Sequence, residues 1–188
     1  MTMVNPTYPA RATRLDDVLM ILQDGDHAGE EGEEARMTAL DHQLQCAAVL
    51  RERHPDDQEL QIAGLLHDIG HRLAPGQPDR HGVLGGDYVR GLFGERVSAL
   101  VELHVDAKRY LVSVEPSYRE QLSAGSAQTL IAQGEAMTAE EADAFAAKAH
   151  AADAVALRRA DEAAKVPGRR VPGLDTWIPV LEALAVAA

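Results

Sequence analysis

Apolar residues recur at helical spacing through most of this chain, and alternating strand patterns are absent. Prolines, glycines and capping residues divide the pattern into segments. The spacing predicts helices over about 15–23, 39–53, 58–68, 81–93, 95–110, 116–122, 126–133, 139–148, 151–165 and 174–186. We find no internal repeat and no long linker. The predicted fold class is therefore all-α, with residues 1–188 forming one domain.

Composition narrows the possible partners and compartments. The 188 residues carry a formal net charge of −12, which disfavours binding to nucleic acid. The only cysteine, Cys46, cannot form an internal disulfide, which indicates a reducing compartment. No apolar run approaches the roughly 20 residues of a membrane helix, and the N-terminus lacks a signal-peptide pattern. We expect a cytoplasmic protein that binds neither membranes nor nucleic acid.

The segment from Gly64 to His71 combines apolar residues with His67, Asp68 and His71. Unpaired imidazoles and carboxylates are costly to bury, so an apolar helix that carries them indicates a metal ion. A helix with two ordinary hydrogen-bonded histidines is the alternative. Further candidate ligands occur elsewhere in the chain: His42, His81, His104 and Asp161. Mixed imidazole and carboxylate ligands favour iron, manganese, zinc or nickel over calcium.

Two cations accompany these candidate ligands at helical spacing. Lys108 follows His104 by four residues, and Arg158 precedes Asp161 by three, so each pair shares a helix face. Ser126 lies near a predicted helix start, where hydroxyls and backbone N–H groups bind anions well. Ordinary surface ion pairs are the alternative. The register of the cations with candidate metal ligands favours an anion pocket instead.

The order of His42, then His67-Asp68, then Asp161 resembles the H…HD…D signature of the HD-domain superfamily. Members of this superfamily are helical bundles that bind metals. Many of them hydrolyse phosphate esters, and a minority are oxygenases. The resemblance therefore implies a metalloenzyme and leaves both reaction classes open.

Four longer motifs carry a narrower resemblance, and they lie at 40–45, 64–71, 103–111 and 157–168. They resemble the mixed-valent di-iron oxygenase branch of the superfamily over about residues 36–185. The likeness is greatest to PhnZ-type enzymes, which cleave the C–P bond of 1-hydroxyphosphonates. Myo-inositol oxygenase is a more distant member of the branch. The resemblance implies two iron ions, Fe(II) and Fe(III), with O₂ as co-substrate and a small organophosphonate as substrate.

The resemblance also implies a set of metal ligands: His42, His67, Asp68, His81, His104 and Asp161. Asp68 would bridge the two irons. His81 and His104 would hold the more open iron, and the other three residues would complete the first. From the residues alone, His81 can be a loop histidine, His104 a buried structural histidine, and Asp153 a competitor of Asp161.

The same resemblance assigns substrate contacts to His71, Lys108, Ser126 and Arg158, with Asp68, His71 and His104 at the catalytic centre. Related phosphonate oxygenases carry a tyrosine and a glutamate shortly before the first-ligand helix. Here that stretch contains no tyrosine, and Glu34 is our choice for the glutamate.

Two functions follow from these observations. The first is an O₂-dependent di-iron oxygenase that cleaves a C–P bond and releases phosphate. The alternative is an HD-type metal-dependent phosphohydrolase that acts on a small phosphate ester. The HD pair and an anion pocket serve both reactions, but the motif around His104 favours the oxygenase.

Overall fold

The computed structural model describes residues 8–24 and 37–185. Within these ranges the chain forms ten helices and no strand. In chain order they are α1 (Leu15–Gln23), α2 (Ala39–Arg53), α3 (Gln58–Leu66), α4 (Gly70–Leu73), α5 (His81–Val114), α6 (Tyr118–Gln121), α7 (Ala124–Ala132), α8 (Ala139–Ala146), α9 (Ala151–Ala163) and α10 (Leu174–Leu184). The predicted all-α class is confirmed.

Local capping explains where α2 and α3 begin. The Thr38 hydroxyl accepts a hydrogen bond from the Asp41 N–H at 3.0 Å, and the Asp41 carboxylate accepts one from the Thr38 N–H at 3.1 Å. This reciprocal pair is a capping box. The Asp57 carboxylate caps α3 by accepting from the Leu60 N–H at 3.0 Å. These contacts span three residues each, so the sequence predicts both helix starts correctly.

The structure corrects the expected continuation of α3 through His67 and Asp68. The helix ends at Leu66, and residues 67–69 form a turn before α4 begins at Gly70. The Ile69 N–H bonds to the Leu66 carbonyl and the His71 N–H to the Asp68 carbonyl, each at 3.0 Å. Bonds that span three residues mark a tighter turn than an α-helix. The His-Asp pair therefore lies between two helices.

The long helix α5 carries His81, His104 and Lys108, and it is interrupted at Gly94. Gly94 has φ 80° and ψ −175°, a conformation that glycine adopts at little cost. The sequence predicted two helices with a boundary at this residue, as found. The second segment continues to Val114, beyond the predicted end at 110.

Five helices form the centre of the bundle among the described residues. Helix α5 packs against α3, α4 and α9, while α2 packs against α3 and α9. Their apolar faces share one core, to which α10 adds the fully buried Trp177.

Cys46 lies within this core, and burial raises the pKa of its thiol well above the ordinary value, as an inert thiol requires. Across the described ranges, no helix combines the length and the apolarity needed to cross a membrane.

Gly70 allows the start of α4 to lie directly against the start of α5. A Cβ atom at this position would lie 1.9 Å from the His81 carbonyl oxygen and 2.9 Å from the His81 Cα. Both contacts are with backbone, which cannot rotate away as a side chain can. The absence of a side chain at Gly70 thus fixes how close Asp68 and His81 can come.

We expect Gly70→Ala to destabilise the fold by about 1–3 kcal/mol or more, because the added methyl overpacks a backbone contact. Gly91→Ala is the matched control, since its Cβ would meet only the Ala12 carbonyl oxygen at an ordinary 3.7 Å. That control should leave stability unchanged or raise it by roughly 0.5–1 kcal/mol. Urea unfolding of the two variants measures both effects. Equal stability of the two variants would contradict the tight backbone contact between α4 and α5.

Candidate metal centre

The structure brings the six candidate ligands together in two groups. In each group the prospective ligand atoms lie within 4.8 Å of one another. The groups are His42, His67 and Asp161 in the first, and Asp68, His81 and His104 in the second. These residues come from α2, the turn after α3, α5 and α9. The grouping agrees with the one that the resemblance implies, and the ligand role itself stays a prediction.

Backbone carbonyls fix the orientation of three imidazole rings. The Nδ1 atoms of His67, His81 and His104 lie 2.8, 2.7 and 2.6 Å from the carbonyl oxygens of Gly64, Pro78 and Val101, respectively. A carbonyl oxygen only accepts hydrogen bonds, so each Nδ1 must carry the proton. In the neutral rings, the Nε2 lone pairs then point into the site. This arrangement is typical of metal-binding histidines.

The inward-facing Nε2 atoms lie so close to each other that neutral rings would repel without a cation between them. His81 Nε2 lies 2.9 Å from His104 Nε2, and His42 Nε2 lies 3.2 Å from His67 Nε2. Two facing lone pairs repel unless a cation lies near both. His42 lacks the carbonyl contact, because its buried Nδ1 has no hydrogen-bond partner among the described residues. The donor set therefore fits metal ions bound through Nε2.

The Asp68 carboxylate lies between the two groups, with one oxygen towards each. Oδ2 is 3.2 Å from His67 Nε2 and 3.5 Å from His42 Nε2. Oδ1 is 3.5 Å from His81 Nε2 and 3.7 Å from His104 Nε2. A carboxylate with this arrangement can bridge two cations, as expected for Asp68.

Electrostatics in the cluster favour added positive charge. Burial raises the pKa of Asp68, but the surrounding imidazoles outweigh it and hold the pKa well below the ordinary value. Burial likewise lowers the pKa of His67, yet Asp68 and Asp161 raise it to about 10. A metal ion can take the place of that proton. Burial and the neighbouring His81 keep His104 neutral by lowering its pKa well below the ordinary value, which suits a ligand.

His71 lies beside the second group and outside both ligand sets. Its ring stacks on His81 with the centroids 3.9 Å apart, and its Nε2 is 3.8 Å from Asp68 Oδ1. Burial, followed by the repulsion of His81, lowers the pKa of His71 to about 3. A neutral ring that lines the cavity can donate to or accept from a bound molecule.

A cationic pocket adjoins the two groups in a cavity of about 460 Å³. Lys108 lies on the His104 face of α5, as predicted, and donates to the Ser126 carbonyl at 3.2 Å and to the Thr129 hydroxyl at 2.7 Å. The Arg158 guanidinium pairs with Asp161 and donates to the Ser126 hydroxyl at 3.0 Å. The structure thus brings together the predicted anion-pocket residues and gives Arg158 a further contact with a candidate ligand.

Sequence reasoning missed Lys165, which lines this pocket, and Glu162, which lies behind it. Lys165 lines the cavity, with its Nζ 3.8 Å from Asp161 Oδ1, and Glu162 pairs with Arg158. Lys165 follows Asp161 by four residues, which is the same relation that singled out Lys108 after His104. Applying that spacing rule to Asp161 would have found Lys165. The contacts of Glu162 with Ser123 and Ser126 needed the tertiary structure, because those residues lie on or beside α7.

The remaining predicted residues fall elsewhere. Asp153, the competitor of Asp161, pairs with Arg96 at 3.0 Å and belongs to neither group of candidate ligands. Glu34 lies outside the described residues.

These features define a helical protein with two His/Asp groups that fit metal ions and three cationic side chains in the adjoining cavity. The HD domain family model matches residues 35–157, a range that ends shortly before Asp161. The chain belongs to the HD-domain family.

Among similar proteins, hydroxymethylphosphonate dioxygenase from Gimesia maris is 35% identical over 161 residues, which cover 81% of this chain and 79% of that protein. The [1-hydroxy-2-(trimethylamino)ethyl]phosphonate dioxygenase (glycine-betaine-forming) of Leisingera caerulea is 31% identical over 154 residues, or 78% of each chain. An uncharacterized protein of Acanthamoeba polyphaga mimivirus is 30% identical over 162 residues, covering 81% of this chain and 71% of the viral protein. The resemblance to phosphonate dioxygenases of the HD-domain family is confirmed.

We expect Asp68→Ala to lose both metal ions and His104→Ala to lose mainly one. A carboxylate that faces both groups neutralises both cations, whereas a terminal imidazole serves one. Iron-loaded and dialysed protein should hold about two ions per chain in the wild type, about one in His104→Ala and almost none in Asp68→Ala. Elemental analysis measures the content. His54→Ala, at the end of α2 and outside both groups, is the control and should match the wild type. Equal retention by the Asp68 and His104 variants would contradict the bridging role.

Proposed function

We propose that this protein is an O₂-dependent di-iron oxygenase that cleaves the C–P bond of a small 1-hydroxyphosphonate and releases phosphate. The two described dioxygenase relatives support the reaction class, since both are named for hydroxyphosphonate substrates. The observation that carries the proposal is that two His/Asp groups and three cationic side chains adjoin one cavity. The organic group of the substrate is proposed only as small.

The protein's own residues would hold the substrate and balance its charge. Lys108, Arg158 and Lys165 all line the cavity, and arginine can give an oxyanion two parallel hydrogen bonds. His71 and Ser126 line the same cavity and offer further polar contacts. The phosphonate end would therefore occupy this side of the cavity.

Six residues would hold the two irons: His42, His67, Asp68, His81, His104 and Asp161. When bound, the irons would supply the redox chemistry with O₂ that protein side chains lack. The carbonyl contacts at His67, His81 and His104 keep these rings in the tautomer that binds metal. Apolar residues such as Ile21, Leu22 and Ile69 line the cavity as well and would limit the entry of water.

The direct test is phosphate release from hydroxymethylphosphonate and other 1-hydroxyphosphonates by iron-loaded protein, with and without O₂. We expect release only with O₂, together with an electron paramagnetic resonance signal from a mixed-valent iron pair in partly oxidised protein. A panel of small phosphate esters should give no release. Hydrolysis of an ester without O₂ would instead support the phosphohydrolase alternative, and one iron per fully loaded chain would exclude the di-iron proposal.

Substrate affinity should depend on pH through Lys108. Burial, followed by repulsion from Arg158, lowers the pKa of Lys108 to about 7 in the free protein. The side chain is charged below this pH and neutral above it, so its attraction for an anion is lost as the pH rises. An arginine keeps its charge throughout. The ratio of the wild-type affinity to that of Lys108→Arg should therefore decrease as the pH rises from about 6 to about 9, by up to roughly tenfold.

Anaerobic titration with hydroxymethylphosphonate measures this ratio and avoids turnover. Comparing the two proteins at each pH cancels the ionisation of the phosphonate itself. Lys148→Met removes a surface lysine that pairs with Asp106, and its affinity should follow the wild type at every pH. A constant ratio between the wild type and Lys108→Arg would show that Lys108 does not contact the anion.

A further inference from the structure

Glu162 lies behind the wall of the anion pocket. It is absent from the residues that line the cavity, and only 13% of its side chain is exposed. Its carboxylate nevertheless contacts three residues that do line the cavity. Oε2 accepts from the Ser126 hydroxyl at 3.1 Å, pairs with Arg158, and lies 3.5 Å from Lys165 Nζ. Glu162 is therefore placed to control these three groups without touching a bound molecule.

The hydrogen bonds of the Ser126 hydroxyl show how this control works. A hydroxyl has one proton to donate and two lone pairs to accept with. Its oxygen accepts from Arg158 Nη2 at 3.0 Å and from Lys165 Nζ, so its proton goes to Glu162. The hydroxyl thus links the carboxylate to both cations.

Glu162 also joins α7 to α9. Its Oε1 accepts from the Ser123 N–H at 2.6 Å, and the Ser123 hydroxyl caps α7 by accepting from the Ser126 N–H at 3.2 Å. Helix α7 carries Ser126 and Thr129 into the cavity. The position of this wall therefore depends on a carboxylate from the neighbouring helix.

Charge gives a second reason for the arrangement. Arg158 and Lys165 share one hydroxyl oxygen, and two cations at such short separation repel. Lys108 lies close enough that both of them lower its pKa. Asp161 and Glu162 both supply negative charge to Arg158 and Lys165, and of the two carboxylates Glu162 also accepts from the Ser126 hydroxyl that the cations share.

We propose that Glu162, through its direct ion pairs and through the Ser126 hydroxyl, is the positioning residue that holds Arg158 and Lys165 in place to bind the oxyanion of the substrate. This inference rests on the proposed function for the identity of the substrate. The geometry on which it depends concerns any tetrahedral oxyanion in the pocket.

The test measures the affinity of iron-loaded, O₂-free protein for hydroxymethylphosphonate and, separately, for inorganic phosphate. Glu162→Ala should weaken both by about tenfold or more. Glu162→Gln keeps an acceptor but lacks the charge, so its loss should be smaller. Iron content should stay near the wild-type value in both variants. In turnover, KM should rise much more than kcat falls.

Two further variants separate positioning from general destabilisation. Glu115→Ala removes a half-exposed carboxylate that pairs with Arg159, also on α9, and should leave both affinities unchanged. Ser126→Ala combined with Glu162→Ala should weaken binding by less than the sum of the two single effects, since both act through one linkage.

The outcomes distinguish the two proposals. Wild-type affinity for both anions in the two Glu162 variants would overturn the positioning role, as would losses that only parallel lost iron or a lowered Tm. If the wild type binds phosphate but not hydroxymethylphosphonate, the proposed substrate class fails while the phosphate arm still tests Glu162. If the wild type binds neither anion, both proposals fail.

Discussion

The architecture depends on one electrostatic constraint: the inward-facing imidazole nitrogens, the buried Asp161 and the partly buried Asp68 need positive charge between them. The facing Nε2 atoms are only 2.9 and 3.2 Å apart, so their lone pairs repel strongly unless a cation lies between them. Four separate elements must meet to create it, and each carries its ligand from within the common core. Burial of the surrounding apolar residues therefore stabilises the fold enough to hold the facing imidazoles together.

The same constraint organises the pocket beside the metal groups. Asp161 contacts His42 through Oδ1 at 3.1 Å and Arg158 through Oδ2, so one carboxylate connects the ligand cluster to the cations. Glu162 then joins the same arginine to α7. The consecutive residues Asp161 and Glu162 on α9 thus have two different electrostatic roles. One balances charge at the metal groups, and the other balances charge in the pocket.

Local features of the fold followed from the sequence, because caps and helix breakers act over a few residues. Thr38, Asp57 and Gly94 mark boundaries where the pattern put them. The turn at His67 was missed, since its backbone stays close to helical angles and nothing in the residue pattern distinguishes it. The Glu162 network was missed for a different reason. It joins positions 39 residues apart, and only the folded chain brings the start of α7 next to Glu162.

The backbone contact between Gly70 and His81 fixes both ends of the segment that lies between them. The end of α4 and the loop 74–80 lie between these two residues, and Pro75 and Gly76 of that loop line the cavity. An insertion or deletion at Pro75-Gly76 would reshape this side of the cavity, while the Gly70 contact and the Pro78 carbonyl would still hold His81 in place. Homologous enzymes could therefore diverge in the molecules they admit by changing the length of this loop, with the metal ligands inherited unaltered.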